Sequence, residues 1–218
     1  MKKRIIAGIA ALAAVCLIFG CFFAYQKEED GKSVNVNTLP VKTMKASYVY
    51  DISDKKAAVG AVDYVFAGKV LSNDGTVYED PVPMEDEDGN TIEVGSPYTH
   101  YTVQVLENMK GGLITEEPIE IVKDGGVGQD GEAVYLYEDD SLPQVGKAYI
   151  FLAYTQEDGS LLISGMDSNI LLETKEKVSM ETIERTDTYK EYKEAIKHQI
   201  IPKDYRRDTS IYDAKGRK

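Results

Sequence analysis

The chain has 218 residues, a hydrophobic fraction of 43% and a formal net charge of −12 at pH 7. This hydrophobic fraction is typical of a globular domain and argues against a chain that is disordered throughout. The negative charge argues against nucleic acid as a partner, because an acidic surface repels the phosphate backbone. Both cysteines, Cys16 and Cys21, lie near the N-terminus, so the rest of the chain has no disulfide and no thiolate metal site.

The N-terminal region predicts export of the body across a membrane. Residues 5–25 carry no charge and form a run long enough to cross the hydrocarbon layer as a helix. Three cations at residues 2–4 precede the run, and three acids at residues 28–30 follow it closely. The positive-inside rule therefore predicts a cytoplasmic N-terminus and an extracytoplasmic body, with the membrane as a partner through residues 5–25.

Three fates of residues 1–25 remain open. An uncleaved signal anchor requires nothing beyond the apolar run itself. A lipoprotein signal requires a small residue before an acylated cysteine, and residues 17–21 (Leu-Ile-Phe-Gly-Cys) resemble such a lipobox, which makes Cys21 the candidate lipidation site. Cleavage as a secretory signal after Ala24 would place the bulky Phe22 at the −3 position, where small residues are required.

The remaining chain divides into three parts by composition. Residues 26–50 are polar and predict a spacer between the membrane and a folded domain. Residues 51–202 predict that domain, which begins with a helix from Asp54 to Val62 capped by Ser53. Residues 203–218 carry six basic and three acidic side chains, which predicts a flexible basic tail able to contact anionic lipid or wall polymer.

Short β-strands dominate the predicted domain. Alternating or continuous apolar residues, bounded by turn signals, predict strands at residues 64–71, 98–106, 118–122, 133–137, 147–154 and 161–164. Residues 72–75 (Ser-Asn-Asp-Gly) predict a turn, and residues 80–89 predict a long, exposed hairpin tip. A helical pattern from Met180 to Ile200, stopped by Pro202, completes the domain. The pattern predicts a mainly β fold, either a small barrel or a sandwich, with flanking helices.

Three segments together resemble a known family. Residues 62–70 (Val-Asp-Tyr-Val-Phe-Ala-Gly-Lys-Val), residues 101–111 (Tyr-Thr-Val-Gln-Val-Leu-Glu-Asn-Met-Lys-Gly) and residues 145–152 (Val-Gly-Lys-Ala-Tyr-Ile-Phe-Leu) are similar to the conserved strands of exported netrin-like domains, which include tissue inhibitors of metalloproteinases. The resemblance covers residues 53–172 and implies a small OB-like antiparallel barrel with a helix packed alongside. Those inhibitors clasp zinc through an N-terminal cysteine that this body lacks, so the resemblance implies the fold and no functional residue.

Few residues fall into a pattern with recognisable chemistry. His100 and His198 have no second histidine at metal-ligand spacing, and no nucleophile elbow accompanies them. Asp86, Asp88 and Asn90 alternate in a loop, which is typical of a calcium site, although an EF-hand register fails. Solvated hairpin acids are the alternative interpretation. The glycine-rich residues 123–128 precede no helix and lack a P-loop ending.

The fifteen tyrosines allow two interpretations, either a ligand-binding stripe on the barrel or half-buried positions in the strands. We expect a membrane-anchored extracytoplasmic binding module without catalytic activity or cofactor, whose partner is an envelope protein or polymer. Two alternatives remain: a cell-envelope hydrolase that uses two of the many acidic residues, and a structural accessory of a membrane complex.

Overall fold

The computed structural model describes residues 38–45, 51, 53–86, 88–174 and 176–215. The predicted export segment, including Cys21, lies outside this part of the chain. Within the described residues, no helix has both the length and the apolar character needed to span a bilayer. The prediction of a mainly β fold with few helices is confirmed.

The described residues contain nine strands and three helices. The strands are β1 (Val41–Met44), β2 (Tyr64–Glu85), β3 (Thr91–Lys110), β4 (Ile119–Asp124), β5 (Gly126–Val127), β6 (Val134–Tyr137), β7 (Ala148–Thr155), β8 (Leu161–Ile163) and β9 (Asn169–Leu171). The helices are α1 (Lys55–Ala61), α2 (Met180–Glu184) and α3 (Asp187–Lys197).

Five strands pair in a ring. The order is β2, β3, β4, β8, β7 and back to β2, and β9 also pairs with β7. All these pairings are antiparallel except β4 with β8, which is parallel and contains only two residue pairs, Val122–Leu162 and Lys123–Ile163. The strands β1, β6 and β5 form a second sheet in that order. The antiparallel contact of β8 with β7 also contains only two residue pairs, so the ring is weakest on the two sides of β8.

Alternation along the strands creates two cores. Side chains on one face of the ring form the first core, which includes Phe66, Tyr101, Val103 and Phe151, each fully buried. Their neighbours point to the opposite face, where the helices cover them and form the second core. Tyr101, Val103 and Val105 alternate along β3, and all three lie in the first core, as the two-residue period of a strand requires.

The first hairpin is much longer than predicted. Residues 72–75 do not end the first strand, because β2 continues to Glu85 opposite β3. Asn73 Oδ1 accepts a hydrogen bond from the Gly75 N–H at 3.0 Å, and Gly75 has a φ of +106°. This local turn produces a β-bulge, and pairing resumes beyond it since β3 continues on the other side. The exposed tip is shorter than the predicted residues 80–89, because residues 80–85 belong to β2 and the turn is closed by the hydrogen bond from the Asp86 N–H to the Asn90 carbonyl.

Both predicted helices need correction at their ends. Asp54, and not Ser53, caps α1, because the Asp54 side chain accepts from the Lys56 N–H at 2.9 Å while Ser53 binds Asp51. The single helix predicted from Met180 to Ile200 is two helices, since Thr186 caps a new helix and interrupts the first. Ile200, expected on the apolar stripe, lies beyond α3 and is exposed.

The segments that flank the domain also differ from prediction. Within the expected spacer, β1 pairs in parallel with β6 across four residues. Within the expected flexible tail, residues 203–215 pack against the domain. The Tyr205 hydroxyl donates to the Val62 carbonyl at 2.7 Å, and Tyr64 donates to the buried Asp213 carboxylate at 2.8 Å. The tail packs because its aromatic and acidic side chains find buried partners near the start of β2.

Candidate functional site

A cleft lies between the small sheet and the ring. Its volume is about 580 Å³, within the range of small-ligand sites. Seven of its twelve lining residues are aliphatic, namely Leu39, Val41, Val134, Leu136, Leu142, Pro143 and Val145. Val41 and Val145 are each 56% exposed.

The other five residues that line this cleft are polar. Asn73, Tyr101, Ser141 and Gln144 are neutral, and Asp140 is the one acid among the described lining residues. Asn73 donates weakly to the buried Tyr101 hydroxyl, at 3.4 Å. Neutral hydrogen-bonding groups among aliphatic walls are suited to an uncharged ligand with an apolar body.

Asp140 is committed to a buried ion pair. Its carboxylate is 2% exposed and accepts from Lys123 Nζ at 2.6 Å, while the Lys123 side chain is fully buried. Lys123 also donates to the Gly165 carbonyl at 3.3 Å and to Ser168 Oγ at 2.9 Å. Three acceptors around one ammonium satisfy its three donors.

Burial disfavours the charged forms of both side chains, whereas the charge of each partner favours the charged form of the other. Desolvation lowers the pKa of Lys123, while the Asp140 carboxylate raises it. Desolvation likewise raises the pKa of Asp140, and the Lys123 ammonium lowers it. A network continues from the pair, because Ser141 N–H donates to Asp140 at 2.8 Å and Asn169 donates to the Ser141 carbonyl at 3.0 Å. The network ties β4 to the loops that precede β7 and β9.

Sequence reasoning placed Lys123 at the start of a glycine-rich loop and missed its role. The structure places it inside β4, on the same face as Ile119 and Ile121, which are both buried. The period-2 spacing of Ile119, Ile121 and Lys123 was the signal that could have found it, since alternate residues of a strand share one face. The glycine-rich residues 123–128 thus belong in part to the strands β4 and β5.

A second surface is the distal part of the β2–β3 hairpin, residues 77–98, which we call the arm. Residues that pair directly across the strands share one face, and Val77–Tyr98, Val82–Val94 and Met84–Ile92 are such pairs. These six side chains form the arm face. Val77, Val82, Met84 and Ile92 are between 42% and 54% exposed, so the arm face is open to solvent.

The opposite side of the arm is covered near its base. The Tyr78 hydroxyl donates to the carbonyls of Val127 and Gly128, both at 3.2 Å. Thr99, which is 1% exposed, donates to the Gly125 carbonyl at 2.7 Å. The segment around β5 therefore fixes one side of the arm to the domain and leaves the arm face uncovered.

The two histidines lie on separate elements, each beside a carboxylate. His100 Nδ1 on β3 is 2.7 Å from Glu120 Oε1 on β4, and His198 follows α3 with Nδ1 3.1 Å from Glu194 Oε1. His100 Nε2 is buried and has no hydrogen-bond partner. Neither contact includes a nucleophile, so the structure brings no catalytic triad together around these side chains.

The predicted calcium ligands belong to the hairpin tip. Asp86 Oδ1 accepts from the backbone N–H groups of Asp88 at 3.0 Å and Asn90 at 2.8 Å, so its carboxylate shapes the turn. The Asn90 N–H is the main reason that the pKa of Asp86 is lowered. No group of three or more His, Cys, Asp or Glu side chains suited to a metal occurs among the described residues.

The tyrosines are divided between the two interpretations. Five are buried in the two cores, namely Tyr64, Tyr101, Tyr149, Tyr189 and Tyr192. Their rings fill the cores, while Tyr101 alone among them also lines the cleft. Tyr78 and Tyr98 lie on opposite faces of the arm. No single tyrosine stripe runs along the described strands.

The sequence has no match among models of known protein families, and no curated protein is significantly similar to it.

Proposed function

We propose that this protein is an exported binding module without catalytic activity, built on an OB-type barrel and tethered to the membrane by residues 1–25. The strand order supports the barrel, because an OB-fold is a five-stranded, partly open barrel and five strands pair here in a ring. The weak β4–β8 pairing corresponds to the open part of such a barrel. The order of the three matching segments supports the netrin-like variant of this fold.

The observation that carries the binding role is the cleft. Val41 and Val145 on its wall remain largely exposed, and covering them would stabilise a complex by about 25 cal/mol per Å² of buried apolar surface. Its polar groups are neutral or, for Asp140, already neutralised by Lys123. The ligand is thus an uncharged molecule or peptide segment with an apolar body and one or two hydrogen-bonding groups.

The same cleft favours binding over hydrolysis. Glycoside hydrolysis through acidic residues uses two carboxyl groups on either side of the scissile bond. Asp140 is the one acid among the described cleft residues, and its carboxylate is engaged by Lys123. We therefore rank the binding module above the envelope hydrolase and above a purely structural accessory.

A fluorescence titration tests the ligand class. The chain has no tryptophan, so Val145→Trp places a unique fluorophore at the exposed rim of the cleft. We expect capped apolar dipeptides such as acetyl-Leu-Leu-amide to shift its emission to the blue, and capped Asp-Asp to leave it unchanged. Ile201→Trp, at an equally exposed position elsewhere, is the matched control. Equal responses at both positions would reject the cleft as the site.

The tether is tested independently. Mass spectrometry of the mature protein distinguishes an intact Met1, a lipidated Cys21 and a new N-terminus near Tyr25. The first two outcomes are those that a membrane-tethered module requires, and the third would replace tethering with secretion.

A further inference from the structure

We propose that the arm face is a docking surface for a cationic segment of another exported protein, in which basic side chains alternate with apolar ones. Val77, Val82, Met84, Ile92, Val94 and Tyr98 form this face in three cross-strand pairs. The surface is separate from the cleft, because the residues that line the cleft include none of the arm face.

The arm face is apolar and open to solvent. Val82 and Met84 are 54% and 51% exposed, and their partners Val94 and Ile92 lie beside them across the hairpin. A two-stranded hairpin in water is marginally stable without a further layer on its apolar face. The segment around β5 supplies that layer on the other side only. A partner that covers the arm face buries apolar surface and also stabilises the hairpin.

Charge identifies the kind of partner. Residues 77–98 contain seven acidic side chains and no basic one. Glu79 lies on the arm face itself, between the Val77–Tyr98 and Val82–Val94 pairs, because it pairs with Ser96. Asp80 in the adjacent bulge and Asp86 and Asp88 at the hairpin tip complete the acidic rim of this face, whereas Glu85 and Glu93 alternate with the apolar pairs and lie on the opposite face. This arrangement complements a segment with lysine or arginine beside its apolar residues.

The same charge argues against two other occupants. Two copies that pack through their arm faces would bring together seven acidic residues from each arm, which opposes association. A bilayer surface with anionic lipid would repel the acidic tip as well. A cationic protein segment is the occupant that both the apolar pairs and the acidic rim favour.

The test measures binding of three synthetic peptides to the full chain held in phosphatidylcholine nanodiscs. One peptide alternates Lys and Val, one alternates Glu and Val, and one alternates Lys and Ser. We expect the Lys/Val peptide to bind and to lose affinity as salt rises, because charges at an exposed rim are screened. The other two peptides bind at least about tenfold more weakly, since each lacks one of the two required features.

Substitutions locate the interaction. Met84→Ser with Ile92→Ser should weaken binding of the Lys/Val peptide by about tenfold, because it removes one exposed cross-strand pair. Glu79→Gln, which removes the acid on the arm face itself, should reduce the salt dependence. Ile201→Ser, an equally exposed apolar position outside the arm, should change neither. Circular dichroism verifies that each variant keeps its fold.

Three results would overturn the proposal. Unchanged affinity in the Met84→Ser, Ile92→Ser variant would remove the arm face from the interaction. Equal affinity for the Glu/Val and the Lys/Val peptides would show that positive charge on the partner does not contribute to binding. A dimer in analytical ultracentrifugation that the same variant dissociates would assign the face to a second copy. Because the peptides bind away from the cleft, the result of the Val145→Trp titration does not depend on the result of this peptide test.

Discussion

The two ends of the β2–β3 hairpin have the same alternating strand pattern and opposite surroundings. At the base, one face enters the first core, the other meets the helices, and β4 and β7 pair with the outer edges of the two strands. In the arm, beyond Thr76 and Thr99, one side meets the segment around β5 and the arm face meets solvent. Alternation therefore determines which side chains share a face, and neighbouring elements decide whether that face stabilises the fold or remains open to a partner.

The largest effect on the free energy of unfolding is expected at the base, at Lys123. Lys123→Met leaves the Asp140 carboxylate buried without its cation and should destabilise the domain by about 3–5 kcal/mol in urea denaturation. Lys147→Ala, at an exposed lysine, should change stability by less than about 0.5 kcal/mol.

A double variant separates the ion pair from packing. Replacing both partners, with Lys123→Met and Asp140→Leu, should recover most of the lost stability, because an apolar pair of similar volume needs no hydrogen bonds. A double variant as unstable as Lys123→Met alone would show that the surrounding network, and not the unpaired charge, accounts for the loss.

Tyr205→Phe should have the next largest effect, although this residue lies in the segment predicted to be flexible. Its hydroxyl donates to the Val62 carbonyl at 2.7 Å and is 2.6 Å from Asp63 Oδ1, just before β2 begins. Removing the hydroxyl alone should cost about 1–3 kcal/mol, because a hydrogen bond to a carboxylate is stronger than a neutral one. Arg206→Ala, at an exposed neighbour, is the control, and equal stability of all three proteins would mean that the tail contributes nothing.

The pH dependence of stability should also distinguish the base from the arm. Burial lowers the pKa of Lys110 from 10.5 to about 8, and its ammonium donates to the Val59 and Gly60 carbonyls at the end of α1. The folded state therefore binds fewer protons than the unfolded state between pH 8 and 10.5, so stability should rise across this window.

Subtracting the pH profile of Lys110→Met isolates this contribution, since the tyrosines titrate in both proteins. The gain in unfolding free energy should not exceed about 1 kcal/mol, because water screens a half-exposed ammonium. A falling difference between the two profiles would contradict the lowered pKa.

The smallest effect is expected in the arm. Met84→Ser with Ile92→Ser should change the free energy of unfolding by less than about 0.5 kcal/mol, because both side chains are about half exposed. A loss comparable to that of Tyr205→Phe would mean that the arm face supports the fold, and its availability for a partner would then be in doubt.

Much of the fold was accessible from the sequence. The periods of two residues in the strands and of about 3.6 in the helices located most elements, and the burial of Tyr101, Val103 and Val105 followed from alternation alone. The errors arose where a local signal competed with distant pairing. Residues 72–75 have turn chemistry, yet β3 holds them in a bulged strand, and Thr186 divides a helix whose apolar stripe runs on.

The candidate surfaces were harder to predict. The exposed hairpin tip was recognised from its acids and prolines, but its apolar face depends on the register that pairs Val82 with Val94 and Met84 with Ile92. The cleft combines residues separated by about a hundred positions, from Leu39 to Val145, and no local pattern joins them. The Lys123–Asp140 pair joins β4 to a loop 17 positions later in the chain, and no local pattern marks Asp140 as the partner of Lys123.

The tail contacts impose an order on the assembly of the domain. Tyr64, the first residue of β2, reaches its hydrogen-bond partner Asp213 across 149 positions of sequence. Contacts of such separation slow folding, because a long loop must close before the contact stabilises anything. The start of β2 thus lacks this partner until residue 213 has been synthesised. Until then the hydroxyl of Tyr64 remains without its carboxylate acceptor, and the nascent domain remains open to chaperones or proteases.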